Sequence, residues 1–318
     1  MQEKYSCDIC GNSDYEIYNV RERQFNRGEI FRYLYCNVCG TLQLIDKPND
    51  ISDYYSSDYY SFHLDQTETK GKRDNGKKKI AKKIIFGKTD IPYLGQAVLR
   101  YYMNSVMRLY RTGAKTTWRI LDVGGGNGAW LADLKNMGYT DLTNLDRFSP
   151  DGGYEGIRFI HSDLLKYSTD DKYDLITLNH SFEHMENPFE VFEKLYEMLS
   201  DKGLLIIRIP VCGGDAWEDY KENWYEIDAP RHYYLYSEKS IRLLCEKNKF
   251  YVKRVIYDST CNQFLYSKMY KETDCSYDEV KEAIGLTDKL KYIFRVNRLN
   301  RCGRGDRAAF YISKQHTL

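Results

Sequence analysis

The segment 118–128 constrains the fold of this chain more than any other stretch. It reads Trp-Arg-Ile-Leu-Asp-Val-Gly-Gly-Gly-Asn-Gly, so an apolar start typical of a buried parallel strand breaks into a cluster of glycines. The run that follows, 129–137, has the apolar spacing of a helix. A strand, a glycine turn and a helix form the opening of a nucleotide-binding α/β unit. Glycines there let a ligand approach the backbone, and the helix start offers unpaired N–H groups.

An acidic residue lies inside this predicted strand. Asp122 directly precedes the glycines, at a point where the strand pattern predicts burial. A buried carboxylate is costly unless it has a polar partner. The sequence therefore predicts a polar partner for Asp122, such as a ligand or the amides of the turn.

The chain after this segment alternates as α/β units do. The predicted strands are 119–123, 141–145, 157–161, 173–178, 204–209, 250–257 and 308–313. The predicted helices are 93–111, 129–137, 188–199 and 237–248. We expect the last two strands to pair antiparallel, because no clear helix joins them. The pattern predicts an α/β fold with a Rossmann-like, doubly wound sheet.

Four cysteines near the start form two matching Cys-x-x-Cys-Gly motifs. They are Cys7, Cys10, Cys36 and Cys39. Each motif can form a tight knuckle with its glycine in the turn, and four thiolates suit tetrahedral zinc. The segments 15–21 and 29–35 between the motifs look extended. The alternative is two unpaired motifs or a redox pair. A four-cysteine site is closed, so we expect zinc to stabilise the fold of a small ribbon rather than to take part in chemistry.

Composition limits the classes of function. The chain has 318 residues with 42% apolar and 29% charged residues, which is ordinary for a globular protein. No run approaches the roughly 18 apolar residues of a membrane span, and the start lacks the apolar core of a signal peptide. We therefore expect a cytoplasmic protein without a membrane span, whose nine cysteines are reduced thiols. The net charge of +1 argues against nucleic acid as the main partner.

Two stretches between the cysteine motifs and the glycine turn leave alternatives open. Residues 48–62 are rich in tyrosine, and either lay tyrosines over a ligand or form a polar linker whose aromatic residues pack on the next domain. Residues 70–88 are strongly basic, and are either a basic amphipathic helix that contacts RNA, anionic lipid or a partner, or a solvated linker. We predict a ribbon at 1–47, this linker at 48–92 and the main domain at 93–318.

Taken together, the motifs resemble those of class I S-adenosylmethionine-dependent methyltransferases. The glycine segment looks like the family's first motif, and 173–188 and 199–206 resemble its fourth-strand region and the turn before its fifth strand. The resemblance runs from about residue 93 to 314. It implies that Asp146 binds the ribose hydroxyls of S-adenosylmethionine and that Asp163 lies near the adenine. The implied cofactor-binding residues are Asp122, Gly124, Gly126, Gly128, Asp146, Asp163 and Asn179.

A narrower resemblance concerns the order of the parts. A four-cysteine ribbon, a tyrosine-rich segment and this domain are similar to bacterial methyltransferases that act on nucleotide-linked sugars. The segment 228–237, with its Pro-Arg-His, resembles methyltransferases of polysaccharide and natural-product clusters. The resemblance implies a small-molecule acceptor, such as a nucleotide-sugar, in polysaccharide biosynthesis.

Methyl transfer to a hydroxyl or a C–H group needs a base, and histidine titrates near neutral pH. The candidates, in our order, are His232, His180 and His184; for each, the alternative is a histidine that makes structural hydrogen bonds. The candidate substrate-binding residues are Tyr59, Tyr60, Glu183 and Arg231. Arg231 either pairs with a substrate phosphate or forms a surface or core salt bridge, and Glu183 either orients a histidine, binds a hydroxyl or starts a helix.

Two other functions compete with this interpretation. One is an RNA methyltransferase that binds RNA through the ribbon and the basic stretch 70–88. The near-zero net charge disfavours it, as does a fourth strand that ends in Asn179-His-Ser-Phe. The other is a scaffold that keeps the fold without catalysis. Asp122, Asp146 and the glycine turn disfavour that interpretation.

Overall fold

The computed structural model describes residues 4–25, 27–55, 108–150, 153–273, 275–283 and 285–315. These residues divide into two compact units. The first unit contains 4–55, 179–196 and 205–315, and the second contains 108–178 and 197–204. Residues 93–107 of the predicted helix 93–111, residues 56–62 of the tyrosine-rich stretch and the whole basic stretch 70–88 lie outside the described residues. The predicted domain boundaries at 47 and 92 stay a prediction.

The elements follow one another along the chain as strands and short helices. The strands are β1 Tyr15–Arg21, β2 Ile30–Cys36, β3 Leu42–Leu44, β4 Arg119–Val123, β5 Asp141–Leu145, β6 Arg158–Ile160, β7 Tyr173–Asn179, β8 Leu199–Pro210, β9 Tyr234–Leu235, β10 Tyr251–Tyr257 and β11 Arg307–Ser313. The α-helices are α1 Ala129–Asn136, α2 Pro188–Met198, α3 Asp215–Tyr220, α4 Glu238–Lys247, α5 Asn262–Glu272, α6 Tyr277–Ala283 and α7 Leu286–Arg301. None of the helices in the described ranges is long and apolar enough to cross a membrane.

The second unit carries a parallel sheet of four strands, in the order β7-β4-β5-β6. The strands have buried, apolar interiors, as parallel strands covered on both faces do. The register places Asp122 of β4 between Asn144 of β5 and Thr177 of β7. The Rossmann-like α/β fold and the strands expected at 119–123 and 141–145 are confirmed.

The first unit carries three strands that pair antiparallel, in the order β10-β11-β8. The antiparallel pairing of the last two strands is therefore confirmed. The expectation that no helix joins them is wrong, because α5, α6 and α7 lie between them. These helices are hard to recognise from sequence since α5 and α7 begin without a side-chain cap, the usual start signal. Around Leu265, Tyr266, Tyr270 and Val280 they form a core cluster of their own.

The first unit also contains a four-stranded antiparallel sheet in the order β1-β2-β3-β9. The hairpin of β1 and β2 begins between the two cysteine motifs, as the sequence predicts. The fourth strand comes from far along the chain: Leu42 of β3 pairs with Leu235 of β9. The N-terminal strands are thus joined by backbone hydrogen bonds to the segment that follows Pro230, Arg231 and His232.

Candidate functional site

The glycine turn lies between β4 and α1 in the second unit. Gly126 has φ +55°, a left-handed conformation that favours glycine. A side chain at Gly125 would also clash, because its Cβ would lie 2.0 Å from Asn144 Oδ1 and 2.6 Å from Asp122 Oδ2. The turn therefore packs against two polar side chains of the neighbouring strand ends, and glycine is the residue that allows this approach.

Asp122 lies buried beneath the turn. Its Oδ1 accepts a hydrogen bond from the Thr177 hydroxyl at 2.6 Å. Burial raises the pKa of the Asp122 carboxyl to about 6, although the bond from Thr177 and the charge of Arg108 act in the opposite direction. The polar partner predicted for this carboxyl is thus a hydroxyl of the adjacent strand, β7.

Asp146 follows β5 and is held by the turn. Its Oδ2 accepts from the backbone N–H of Gly126 at 2.8 Å, and its Oδ1 accepts from that of Phe148 at 2.6 Å. Asn144, two residues earlier, donates from Nδ2 to the Gly126 carbonyl at 3.0 Å. Its Oδ1 is buried and finds no hydrogen-bond donor within the described residues. The second unit therefore presents a fixed carboxylate and a buried amide oxygen beside the glycine turn.

Asp163 lies in the loop that follows β6. Its Oδ1 accepts from the backbone N–H of Leu165 at 2.9 Å, so the carboxylate stabilises a local turn. This hydrogen bond involves one oxygen of the carboxylate. The prediction that Asp163 lies near the adenine of the cofactor stays a prediction.

In the first unit, Arg208 of β8 organises the residues at the end of β7. Its Nη1 donates to Asn179 Oδ1 at 3.2 Å and lies 2.6 Å from His180 Nε2, while its Nε donates to Asp258 at 2.7 Å. His180 has φ +51°, which is uncommon for a residue with a side chain. Its Nδ1 lies 3.3 Å from Glu183 Oε1, so both ring nitrogens of His180 are close to a polar partner.

Glu183, His184 and His232 form a second cluster in the first unit. One oxygen or nitrogen atom of each residue lies within 4.8 Å of the other two. The rings of His184 and His232 are 4.7 Å apart between centroids. His184 Nδ1 lies 2.9 Å from the Arg231 carbonyl, and His232 Nδ1 lies 2.7 Å from the Glu226 carbonyl.

Burial controls the charge of this cluster. It raises the pKa of Glu183 to about 8, lowers the pKa of His184 to about 3 and also lowers the pKa of His232. Both imidazoles are therefore neutral near pH 7. In each ring the Nδ1–H donates to a backbone carbonyl, which leaves the lone pair on Nε2.

Arg231 is fully buried and forms an ion pair with Asp228. Its Nε donates to Asp228 Oδ2 at 2.9 Å, and its Nη1 donates to the Tyr54 carbonyl at 3.3 Å. This is the core salt bridge that the sequence leaves open as the alternative. A substrate phosphate would have to compete with Asp228 for the guanidinium.

The four cysteines of the N-terminal motifs meet in the first unit. The Sγ atoms lie 3.5 Å apart in each of two pairs, Cys7 with Cys39 and Cys10 with Cys36. All four Sγ atoms lie within 4.8 Å of one another. The knuckles close by backbone hydrogen bonds from Gly11 to Cys7 and from Gly40 to Cys36, both at 2.8 Å. The cluster has the ligand set and the spacing of a four-thiolate metal site.

Residues 94–255, just over half of the chain, match a family model for a methyltransferase domain. The chain belongs to this methyltransferase family.

The methyltransferase is similar to two curated proteins of Ilyobacter polytropus. One is malonyl-[acyl-carrier protein] O-methyltransferase 2, which is 25% identical over 49% of this chain and 62% of its own length. The other is malonyl-[acyl-carrier protein] O-methyltransferase 1, which is 26% identical over 48% of this chain and 58% of its own length. The chain thus spans about three fifths of the curated relatives it matches. A SAM-dependent methyltransferase from Archaeoglobus fulgidus, 17% identical, aligns over 70% of this chain and 93% of its own, with a TM-score of 0.43.

The predicted site residues of this methyltransferase fall into three groups in the structure. The second unit brings together Asp122, Asp146 and the glycine turn. The first unit brings together the candidate bases and Glu183, and separately the four cysteines. Tyr59 and Tyr60 lie outside the described residues. The role of each residue stays a prediction.

Sequence reasoning missed Asn144, and it named Tyr55 only as one tyrosine of the segment 54–60 expected to reach toward the active site. Asn144 is a polar residue in the buried part of β5, and a buried amide is a signal of a functional contact. Tyr55 lies in the tyrosine-rich stretch, and its hydroxyl is 3.1 Å from His184 Nδ1. Nothing in the sequence distinguishes Tyr55 from the other tyrosines of that stretch.

Proposed function

We propose that this methyltransferase transfers a methyl group from S-adenosylmethionine to an oxygen atom of a small-molecule acceptor. The observation that carries the proposal is the Asp146 carboxylate, which is fixed at the end of β5 by the N–H of Gly126. A carboxylate at the carboxyl edge of a parallel sheet, beside a glycine turn, is where a ribose is bound in such folds.

The residues around the turn fit an adenosyl group. Asp146 would accept hydrogen bonds from the ribose hydroxyls, and Gly124 and Gly126 would let the ligand approach the backbone. The buried Asn144 Oδ1, which finds no donor within the described part of the chain, offers an acceptor at the same place. Bound S-adenosylmethionine supplies an electrophilic methyl group on its sulfonium.

The chain's own part in the reaction is to orient the acceptor and to receive its proton. His232 supports this role, because its ring is neutral and keeps a lone pair on Nε2. The low pKa of His184, about 3, makes that ring a weak base and disfavours it. We place His180 last, since Arg208 lies against its Nε2 and Glu183 beside its Nδ1. His232 therefore remains the first candidate base.

The acceptor we propose is a nucleotide-linked sugar. This proposal is supported by the order of the parts along the chain, in which a ribbon and a tyrosine-rich stretch precede the methyltransferase domain. A second candidate is a carboxylate of a carrier-bound acid. The observation that favours it is the similarity to the two malonyl-[acyl-carrier protein] O-methyltransferases. A sugar hydroxyl and the carboxylate of such an acid both offer an oxygen to the methyl group, so either acceptor needs a site that holds a negative or deprotonated oxygen.

We further propose that the four cysteines bind a structural zinc ion. Zinc–sulfur bonds of about 2.3 Å in a tetrahedron place sulfurs about 3.8 Å apart, close to the 3.5 Å of the two sulfur pairs. Such a metal would fix the ends of the β1–β2–β3 hairpins. Through the pairing of β3 with β9, it would stabilise the segment that carries His232.

The proposal is tested by incubating full-length, zinc-loaded protein with S-adenosylmethionine and separate panels of nucleotide-sugars, malonyl-loaded carrier protein and RNA. Mass spectrometry then measures the methylated product, and a coupled assay measures S-adenosylhomocysteine. Methylation of an oxygen in one of the first two panels would support the proposal and select between its acceptors. Methylation of RNA alone would contradict the small-molecule acceptor.

A further inference from the structure

Glu183, His184 and His232 each offer one ligand atom, and these atoms lie within 4.8 Å of one another, close enough to hold one metal ion. This cluster shares no residue with the four-cysteine cluster. We propose that these three residues bind a divalent metal ion, which is a second metal site in the molecule. Two imidazoles and one carboxylate are a frequent ligand set for first-row transition metals with open coordination positions.

The orientation of the two histidines supports metal binding. His184 donates from Nδ1 to the Arg231 carbonyl at 2.9 Å, and His232 donates from Nδ1 to the Glu226 carbonyl at 2.7 Å. Histidine ligands in metal sites commonly donate their other ring N–H to a carbonyl in this way, because the bond fixes the tautomer and the ring orientation. Here it leaves the lone pair of each ring on Nε2, the atom available to a metal. His232 Nε2 also lies 3.9 Å from Asp228 Oδ2.

The environment of Glu183 is the second, independent observation. The residue is fully buried, and neither carboxylate oxygen has a hydrogen-bond partner in the described part of the chain. The His180 ring lies beside it, with Nδ1 3.3 Å from Oε1. An ionised carboxylate is costly in this buried place, so the group keeps its proton in the absence of a cation. A bound cation would take the place of that proton and pair with the carboxylate.

The backbone holds the three residues in place before any ligand binds. Glu183 and His184 lie in the 3₁₀ helix Phe182–His184. The Glu183 carbonyl accepts from the N–H of Tyr233 at 2.9 Å, which ties this helix to the residue after His232. The His232 carbonyl in turn accepts from the buried Tyr33 hydroxyl at 2.9 Å.

The chemistry of the ligands sets the class of metal. Imidazole and carboxylate suit Mn²⁺, Fe²⁺, Co²⁺ and Zn²⁺, whereas the four thiolates of the other cluster select Zn²⁺. Three protein ligands leave coordination positions for oxygen atoms of a small molecule, such as neighbouring hydroxyls or a carboxylate. A metal-bound hydroxyl has a lowered pKa and can lose its proton to water, so in the metal-loaded protein the ion would activate the acceptor oxygen in place of the base role proposed above for His232. This last step depends on the proposed function, but the binding of the ion does not.

The test uses full-length protein whose thiolate site is first filled with zinc. Co²⁺ is titrated in and followed by calorimetry and visible absorption. Sulfur-to-cobalt charge-transfer bands would reveal any exchange into the cysteine cluster. We expect about one Co²⁺ per chain without those bands. In Glu183→Gln and His232→Gln the affinity for this ion should fall at least about tenfold.

Glu186→Gln is the matched control, because Glu186 is a half-exposed glutamate three residues along the same segment, 3.4 Å from Lys47. It should bind Co²⁺ as the wild type does. The absence of uptake beyond zinc, or equal uptake by Glu183→Gln and Glu186→Gln, would overturn the proposal.

Two further measurements distinguish the absence of the metal site from a variant that does not fold and from a failure of the proposed function. If Glu183→Gln does not fold, pulsed electron paramagnetic resonance of Cu²⁺ bound to the zinc-loaded wild type tests the same ligands. Couplings to two imidazole nitrogens would support the site, and couplings to none would overturn it. S-adenosylhomocysteine binding is measured on the same samples. Cobalt uptake without cofactor binding would contradict the proposed function and leave the metal site in place.

Discussion

At the scale of single residues, burial sets the chemistry of both units. Asp122 in the second unit and Glu183 in the first are fully buried carboxyls with raised pKa values. Their surroundings differ, because Asp122 accepts a hydrogen bond from Thr177 whereas neither oxygen of Glu183 has one within the described ranges. Asp122 is therefore satisfied by the fold itself, and Glu183 calls for a further partner.

The raised pKa of Asp122 predicts a dependence of stability on pH. The pKa is about 6 in the folded protein against 3.8 for a free carboxyl. A raised pKa favours folding while the group is protonated, so this contribution is complete below the unfolded pKa and is lost as pH rises to 6. Relative to Asp122→Asn, the wild type should lose about 3 kcal/mol of unfolding free energy between pH 3.5 and pH 7.

Urea unfolding of both proteins in the absence of ligand, at several pH values, measures this difference. Asn at 122 can still accept the Thr177 hydroxyl, so the substitution removes the titration and keeps the contact. Parallel pH profiles for the two proteins would contradict a buried, titrating Asp122.

Arg231 permits a test of its two roles. Replacing it by Met leaves Asp228 without its buried partner, and breaking such a pair costs about 3–5 kcal/mol. We expect Arg231→Met to lower the unfolding free energy by that order, as measured by urea denaturation. Near-native stability together with a large loss of acceptor affinity would instead favour the substrate-phosphate role.

At the scale of elements, the N-terminal strands support the segment around His232. β3 pairs with β9, the Tyr33 hydroxyl of β2 binds the His232 carbonyl, and the Tyr233 carbonyl accepts from the N–H of Leu44. The cysteine knuckles lie at the ends of the same hairpins. A metal in that cluster therefore acts on the geometry of the histidines through backbone hydrogen bonds.

Removal of zinc should show this connection. Chelation, or Cys36→Ser, should lower the melting temperature and weaken binding of Co²⁺ at Glu183, His184 and His232. S-adenosylhomocysteine binding should stay within about threefold, because the glycine turn belongs to the other unit. Calorimetric melting and titration on the same samples measure both effects. A chelated protein that melts as before would show that the metal is dispensable.

At the scale of the whole molecule, the parts differ in how far the sequence predicts them. The strands β4 and β5 were predictable to the residue because β4 leads directly into the glycine turn and β5 lies between Gly138 and Asp146, at the place where an α/β unit has its second strand. The family model covers the same region, 94–255, and leaves the N-terminal hairpins and the helices α5, α6 and α7 outside. The helices α5 and α7 begin without side-chain caps, so no local signal marks their starts. The start of α6 carries one, since the Ser276 hydroxyl and the Glu279 carboxylate cap its first turn.

The candidate sites show the same contrast. The glycine turn and Asp146 lie within one local motif, and the cysteines are recognisable from their spacing. The cluster of Glu183, His184 and His232 joins segments about fifty residues apart, and Tyr55 is farther still. The spacing of these residues along the chain does not predict that they meet in the fold. The hydrogen bonds that orient the two histidine rings are made to backbone carbonyls, which no sequence pattern identifies.

The most direct test of the central claim is calorimetric titration of zinc-loaded protein with S-adenosylhomocysteine. We predict micromolar binding by the wild type and at least about tenfold weaker binding by Asp146→Ala, which loses the carboxylate for the ribose hydroxyls. Asp141→Ala, at the start of the same strand and exposed, should bind as the wild type does. Absence of binding by the folded wild type would contradict the account and favour a non-catalytic scaffold. Equal affinities of Asp146→Ala and Asp141→Ala would contradict the placement of the cofactor.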